Sequence, residues 1–228
     1  MENLKQKAAE EAVKYIESGM VVGLGTGSTV YYALLKISEL IKAGKLVNIV
    51  GIPSSGKTEK LATELEIPLT DFMKHKSIDI TIDGADEVDK YLNLIKGGGG
   101  ALLREKVLAQ ASKRLIIIVD ESKVSSKLGE KWAVPVEVIK FAYPLEMEFI
   151  KSLAGKPQLR MYENLNEPVL TDEGNYIIDA NFGVIKNPFE LAAKLENRAG
   201  IVEHGIFINL TSEVIVAYKD GVKKIKKK

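Results

Sequence analysis

Cysteine is absent from the 228 residues, and histidine occurs only at His75 and His204. Disulfides, thiol catalysis, iron–sulfur clusters and ordinary structural zinc sites need clustered Cys or His, so these chemistries are excluded. No apolar run approaches the roughly 18 residues of a membrane span. The opening MENLKQKAAEEAVKYI has neither a continuous apolar stretch nor a small-residue cleavage site, and does not read as a signal peptide. A cytoplasmic protein is the expectation. An excess of one charge is missing too: 32 Lys+Arg stand against 31 Asp+Glu, a net charge of +1. Such a chain has no global field to gather nucleic acid or a membrane, so neither is an expected partner. An anionic ligand must be held by local geometry. What is present is ordinary for a folded chain, 46% hydrophobic and 28% charged residues, enough for one large domain or a large one carrying a small one. Carboxylates, lysines, hydroxyls and backbone amides remain for chemistry.

Leu4, Ala8, Ala12, Tyr15 and Ile16 recur at helical spacing and stop at Gly19, which predicts an amphipathic opening helix. Strands are then predicted at MVVGLG, LVNIVGI, SIDITIDG and RLIIIVD. Helices are predicted at about Thr29–Lys42, Lys57–Leu65 and Ala101–Ser112 between them. This alternation implies parallel βαβ units, hence an α/β fold with an open, mostly parallel, Rossmann-like sheet over residues 1–125. From about Ser125 the rhythm changes to strand, helix with Pro144 at its first position, two strands around Asp172–Asn175, and a helix capped by Asn187. That order suggests a smaller α+β, ferredoxin-like domain over 126–204. Residues 205–228 contain strand-like runs that can rejoin the first sheet, and the terminal KKIKKK reads as a solvated tail.

Four segments invite a chemical reading. Gly23-Leu-Gly25-Thr-Gly27-Ser28-Thr29 joins a strand to a helix, where unpaired amides and the helix dipole favour an anion. Thr26, Ser28 and Thr29 add hydroxyl donors. Ser28 stands where a dinucleotide fingerprint needs its third glycine, and no acid closes the next strand, so phosphate is a better reading than dinucleotide. An ordinary capped turn is the plain alternative. Gly51-Ile-Pro-Ser-Ser-Gly56-Lys57-Thr58 satisfies the nucleotide-binding P-loop pattern, and Asp120 ends a later strand that can imitate the acidic strand of such enzymes. Asp83-Gly84-Ala85-Asp86-Glu87 places three acids after a buried strand, at the edge where α/β proteins bind ligands, and reads as a solvated acidic turn or a magnesium site. Lys96-Gly97-Gly98-Gly99-Gly100 costs entropy to order, so it suits an anion-binding nest of amides. Glu105 lies one turn into the helix that follows. His75, His204 and Trp132 read as packing or surface residues, and Lys7 taken alone as a solvated charge.

In this order GLGTGST, DGADE, KGGGGALLREK and DESK resemble type A ribose-5-phosphate isomerases, and the later PVEV, LTDEGN and DGVKKI extend the likeness over nearly the whole chain. The resemblance implies interconversion of ribose 5-phosphate and ribulose 5-phosphate in the pentose phosphate pathway, an intramolecular oxidoreduction. It implies no metal or organic cofactor, and a homodimer or homotetramer. It implies that Lys7, Thr26, Gly27, Ser28, Thr29 and Lys123 contact the phosphate. Asp83, Gly84, Ala85, Asp86, Lys96, Gly97, Gly98, Gly99 and Glu105 are implied to surround the sugar, with Glu105, Lys96, Asp83 and Asp86 catalytic. Lys57 inherits no role. A P-loop NTPase and a non-catalytic sugar-phosphate-binding module remain as the competing readings.

Overall fold

The computed structural model describes residues 4–163 and 165–226. The chain begins with α1 (Leu4–Val13), β1 (Val21–Leu24), α2 (Ser28–Lys42), β2 (Val50–Pro53), α3 (Gly56–Glu64) and β3 (Ile80–Asp83). Two short strands follow, β4 (Glu87–Val88) and β5 (Leu94–Ile95), then α4 (Leu102–Ala111) and β6 (Leu115–Asp120). The next stretch holds β7 (Val134–Val138), α5 (Tyr143–Ser152), β8 (Lys156–Leu159), β9 (Tyr176–Asn181), α6 (Pro188–Glu196) and β10 (Ile201–His204). It ends with β11 (Ile206–Phe207), β12 (Glu213–Tyr218) and β13 (Gly221–Lys226). Among the described residues no helix is long and apolar enough to cross a membrane.

Two compact units share these elements: Met1–Ala85, Arg104–Lys123 and Leu210–Lys228 form the first, Asp86–Leu103 and Val124–Asn209 the second. In the first, the sheet runs β13-β12-β6-β3-β1-β2, and every pairing is parallel except that of β12 with β13. Taken in chain order the five parallel strands lie as second, first, third, fourth, fifth, the doubly wound arrangement that the βαβ rhythm predicts. Both faces are covered. Val22 and Leu24 of β1, Ile80 and Ile82 of β3, and Ile116 and Ile118 of β6 pack with Ala8 and Ala12 of α1 and Leu34 and Ile37 of α2. Val21, on the other parity of β1, meets Ile52, Ile78 and Leu108 of α4. Two buried faces explain why residues 115–119 of β6 are apolar throughout, each such Ile contributing about 1.5–3 kcal/mol on burial.

The second unit contains β7-α5-β8-β9-α6-β10 with the antiparallel order β10-β7-β9-β8, a ferredoxin-like sheet. Val136, Val138, Ile178 and Ala180 bury against Ile150 of α5 and Leu195 of α6. Asn187 caps α6, its side chain accepting the Glu190 amide at 3.2 Å.

Two sequence expectations need correction. Residues 86–103 and 205–209 were assigned to the parallel-sheet domain, but β4, β5 and β11 form their own three-stranded sheet in the second unit. Glu87, fully buried, is tied there by the Gly129 and Lys131 amides at 2.8 and 3.1 Å. The lysine-rich end is not a loose tail: Lys223–Lys226 lie in β13, paired with β12 from Val216 to Glu213. Their exposed charges suit an edge strand, where lysine discourages further pairing. Lys227 and Lys228 lie outside the described residues.

Candidate active site

Strand order reverses between β1 and β3, so their carboxyl ends splay and leave a crevice, the usual ligand position in such sheets. The first unit puts its glycine loop and an aspartate there. β1 runs into Gly25–Gly27 and α2, while β3 ends on Asp83, which is 1% exposed. The Asp83 carboxylate bridges the two, Oδ1 accepting the amides of Thr26 at 3.1 Å and Gly84 at 2.7 Å. Gly25 is obligatory here, because a Cβ would collide with that carboxylate. Gly27 caps α2 with φ 128, a conformation that glycine alone takes without strain, and offers no side chain to cover the first amides of the helix. An anion fits those amides and the positive end of the helix dipole.

Ser28 is exposed and Thr29 buried in the first turn of α2. Lys5 Nζ donates to Ser28 Oγ at 2.8 Å. Lys7, the residue named from the sequence, is half-buried on the same helix α1, and half-buried Lys123 closes the short turn Glu121–Lys123 after β6. Thr26 departs from expectation. Its hydroxyl meets the Ser54, Ser55 and Thr58 oxygens at 2.7, 2.8 and 3.0 Å, so it is engaged within the protein fabric.

The same contacts dispose of the P-loop reading. The Ser54 amide is spent on Leu24 O and the Thr58 amide on Ser55 Oγ, while Thr58 Oγ1 donates to Gly25 O. A phosphate cradle needs these amides and that hydroxyl. β2 is moreover an edge strand, separated from Asp120 on β6 by β1 and β3.

In the second unit Lys96 follows β5 and is 2% exposed, its ammonium 5.6 Å from the centre of the Phe207 ring. The glycine run is shaped rather than slack. Asp86 Oδ2 accepts the Gly98 amide at 2.7 Å, and the Gly100 amide returns to Gly97 O at 3.0 Å. The expected nest of successive free amides therefore gives way to a loop with two amides committed internally. Gly97 has φ 101, and a Cβ on it would press on Leu102 and Pro135. Sequence reasoning missed Arg160, whose Nη1 donates to Gly97 O at 2.9 Å and Gly98 O at 3.1 Å. Its Nε and Nη2 are held by both Asp179 carboxylate oxygens. No local pattern marks Arg160, which lies 63 residues from Gly97. Arg160→Met is expected to lower kcat about tenfold, because the loop loses both carbonyl anchors. Arg160→Lys should not rescue it, since an ammonium lacks the planar fork; full activity in either variant would show the clamp to be idle.

The glycine run leads directly into α4, and Glu105 sits in the first turn of that helix, 4% exposed. Leu108, one turn on, anchors α4 against Val21 and Ile52, which fixes the rotation of the helix. A carboxylate in a first turn is favoured by the helix dipole. Gly84 and Ala85 are half-buried between Asp83 and Asp86 in the chain. Among the described residues no three His, Asp or Glu side chains come together as a metal-binding group. The first unit thus supplies a helix start that suits an anion and a buried carboxylate in the first turn of α4, and the second a buried lysine beside a fixed glycine loop.

The chain is similar to known proteins over nearly its whole length. The family model for ribose 5-phosphate isomerase A (phosphoriboisomerase A) matches residues 50–221. The ribose-5-phosphate isomerase A of Desulfatibacillum aliphaticivorans is 56% identical over 98% of this chain and 96% of its own length. The solved ribose 5-phosphate isomerase of Plasmodium falciparum is 44% identical, superposes with a TM-score of 0.96 and is covered completely in both directions. A solved D-ribose-5-phosphate isomerase in complex with phospho-erythronic acid is 43% identical, with a TM-score of 0.96 over 98% of this chain and 97% of that one. On a family-model match over most of the chain and full-length identities of this size, the chain belongs to the ribose-5-phosphate isomerase A family.

Proposed function

We propose that this chain interconverts D-ribose 5-phosphate and D-ribulose 5-phosphate by moving one proton between adjacent carbons through an enediolate. The observation that carries the reading is the burial of two ionisable side chains, Lys96 immediately before the glycine run and Glu105 in the first turn of the helix after it. Burying such groups is costly, and folds retain the cost where charge does chemical work.

Each step has a residue. The phosphate docks on the amides of Gly27, Ser28 and Thr29 and on the Ser28 and Thr29 hydroxyls, with Lys5, Lys7 and Lys123 supplying positive charge. Glu105 removes the C2 proton of the open-chain aldose and returns it to C1, while the O2 hydroxyl proton passes to O1 as the carbonyl moves to C2; base catalysis of this kind is typically worth about 100- to 10,000-fold. As the proton leaves, negative charge gathers on the carbonyl oxygen. Lys96 stabilises that charge, assisted by the glycine backbone. Asp86 holds sugar hydroxyls and helps open the furanose ring. Asp83 has a second duty, since its Oδ1 already fixes the Thr26 and Gly84 amides. The same family reading proposes a homodimer or homotetramer in the cytoplasm, which light scattering and fractionation check. The phospho-erythronic acid complex of a relative supports a sugar phosphate as the small-molecule partner.

Incubating the purified protein with ribose 5-phosphate and following ketose formation tests the reading; binding without turnover would leave only a sugar-phosphate-binding module. Activity is expected to survive prolonged EDTA treatment, because the carboxylates of Asp83, Asp86 and Glu87 accept backbone amides and proton transfer by Glu105 needs no Lewis acid. Loss in EDTA with recovery on magnesium would overturn the metal-free route. Lys57→Ala should stay within about threefold of wild type, the ordinary range for an exposed side chain outside the site.

A further inference from the structure

Three buried side chains of the Gly51–Thr58 segment and half-buried Thr26 of the glycine loop form a chain of hydroxyls, and we propose that Ser54, Ser55 and Thr58 are positioning residues for the phosphate loop. This rests on the phosphate reading of Gly27–Thr29 given above. Ser54, Ser55 and Thr58 are 0%, 4% and 5% exposed. Thr26 Oγ1 donates to Ser55 Oγ at 2.8 Å, Ser55 Oγ to Thr58 Oγ1 at 3.1 Å, and Thr58 Oγ1 to Gly25 O at 2.8 Å. Each hydroxyl carries one proton, so with those three spent, Ser54 is the donor in its 2.7 Å contact with Thr26 Oγ1. The chain therefore has one direction, from Ser54 through Thr26, Ser55 and Thr58 to the Gly25 carbonyl. Aligned hydroxyls polarise one another and strengthen the series.

Its end point gives it a function. The peptide between Gly25 and Thr26 is gripped at both poles: Thr58 holds the carbonyl, and Asp83 Oδ1 holds the amide at 3.1 Å. A peptide plane fixed at oxygen and nitrogen cannot rotate. The next residue is Gly27, whose φ of 128 sets the direction of the first α2 amides. Fixing the plane before this glycine pre-aims the phosphate-binding amides, so the ligand does not have to order them. Thr26 then acts through the backbone and not as a phosphate donor, and the Gly-Lys-Thr likeness to a nucleotide loop is a by-product of hydroxyls needed to hold a neighbouring loop.

Thr58→Val keeps the shape and deletes the terminal donor. Calorimetric affinity for inorganic phosphate is expected to weaken about tenfold, about 1.4 kcal/mol. KM for ribose 5-phosphate should rise by the same factor with kcat within about threefold, because the reacting carbons are remote from the phosphate. Thr58→Ser restores the donor and should return both constants to within about twofold of wild type. If Thr58→Val does not fold, Ser54→Ala, which removes the head of the chain and leaves the Thr58–Gly25 bond, should weaken phosphate binding about threefold. A lowered melting temperature with unchanged phosphate affinity in a folded variant, or a fall in kcat at constant KM, overturns the proposal. Wild-type turnover read alongside separates the two levels: a wild type that binds phosphate without isomerising sinks the isomerase reading, while the affinity comparison still decides the role of the hydroxyls.

Discussion

Glu105→Gln is expected to lower kcat by about 100-fold or more while leaving sugar-phosphate affinity nearly intact. Glutamine matches glutamate in size and can fill the same buried site, so the first turn of α4 should keep its place. What disappears is basicity. An amide cannot accept the carbon-bound proton, and no cysteine exists to substitute for it. KM should move little, because the phosphate anchors at the start of α2 are untouched. A stopped assay for ketose at saturating ribose 5-phosphate, with calorimetry for binding, measures both halves; a kcat within tenfold of wild type removes Glu105 from the base role.

Lys96→Ala is expected to be almost as severe, with kcat down about 100- to 1,000-fold, the usual cost of one lost donor to a developing oxyanion. Alanine also empties a buried position beside Phe207, which confounds charge with packing. Lys96→Met separates them by keeping an unbranched apolar stem in place of the ammonium. Both variants should lose kcat alike if the charge matters, whereas recovery in Lys96→Met would assign the effect to packing. Thr58→Val contrasts with both, since its effect is expected in KM and theirs in kcat.

Much of the placement of the candidate site residues was legible because it is local. A glycine loop between a strand and a helix, an acid at a strand end and a carboxylate one turn into a helix are all set by neighbours in sequence. The alternation of strands and helices likewise predicted the parallel sheet, and the Asn187 cap predicted the start of α6. What escaped was long-range. β4, β5 and β11 are two-residue strands, too short for any periodicity to announce, and β11 reaches β5 from far along the chain, so nothing local draws the unit boundary at Asp86. Arg160 reaches Gly97 across 63 residues, and Thr58 reaches Gly25 across 33. Thr26 was read as a phosphate donor from its place in the motif; only tertiary packing shows its hydroxyl turned towards Ser54, Ser55 and Thr58. The Gly51–Thr58 pattern misled for the same reason, because a short motif does not record where its amides and hydroxyls are spent.

The central claim is that one carboxylate, Glu105, moves the proton. Its most direct measurement is exchange of the ribose 5-phosphate C2 proton with solvent deuterium, followed by proton NMR in wild type, Glu105→Gln, Asp83→Asn and Asp86→Asn. Asparagine keeps Oδ1 as an acceptor for the Thr26 and Gly84 amides, so the Asp83 variant should hold its loop. The account predicts that exchange is suppressed in Glu105→Gln and persists, from sugar already in the open-chain form, in the two aspartate variants. Exchange retained in Glu105→Gln and lost in Asp83→Asn or Asp86→Asn would contradict it and transfer the base role to that aspartate.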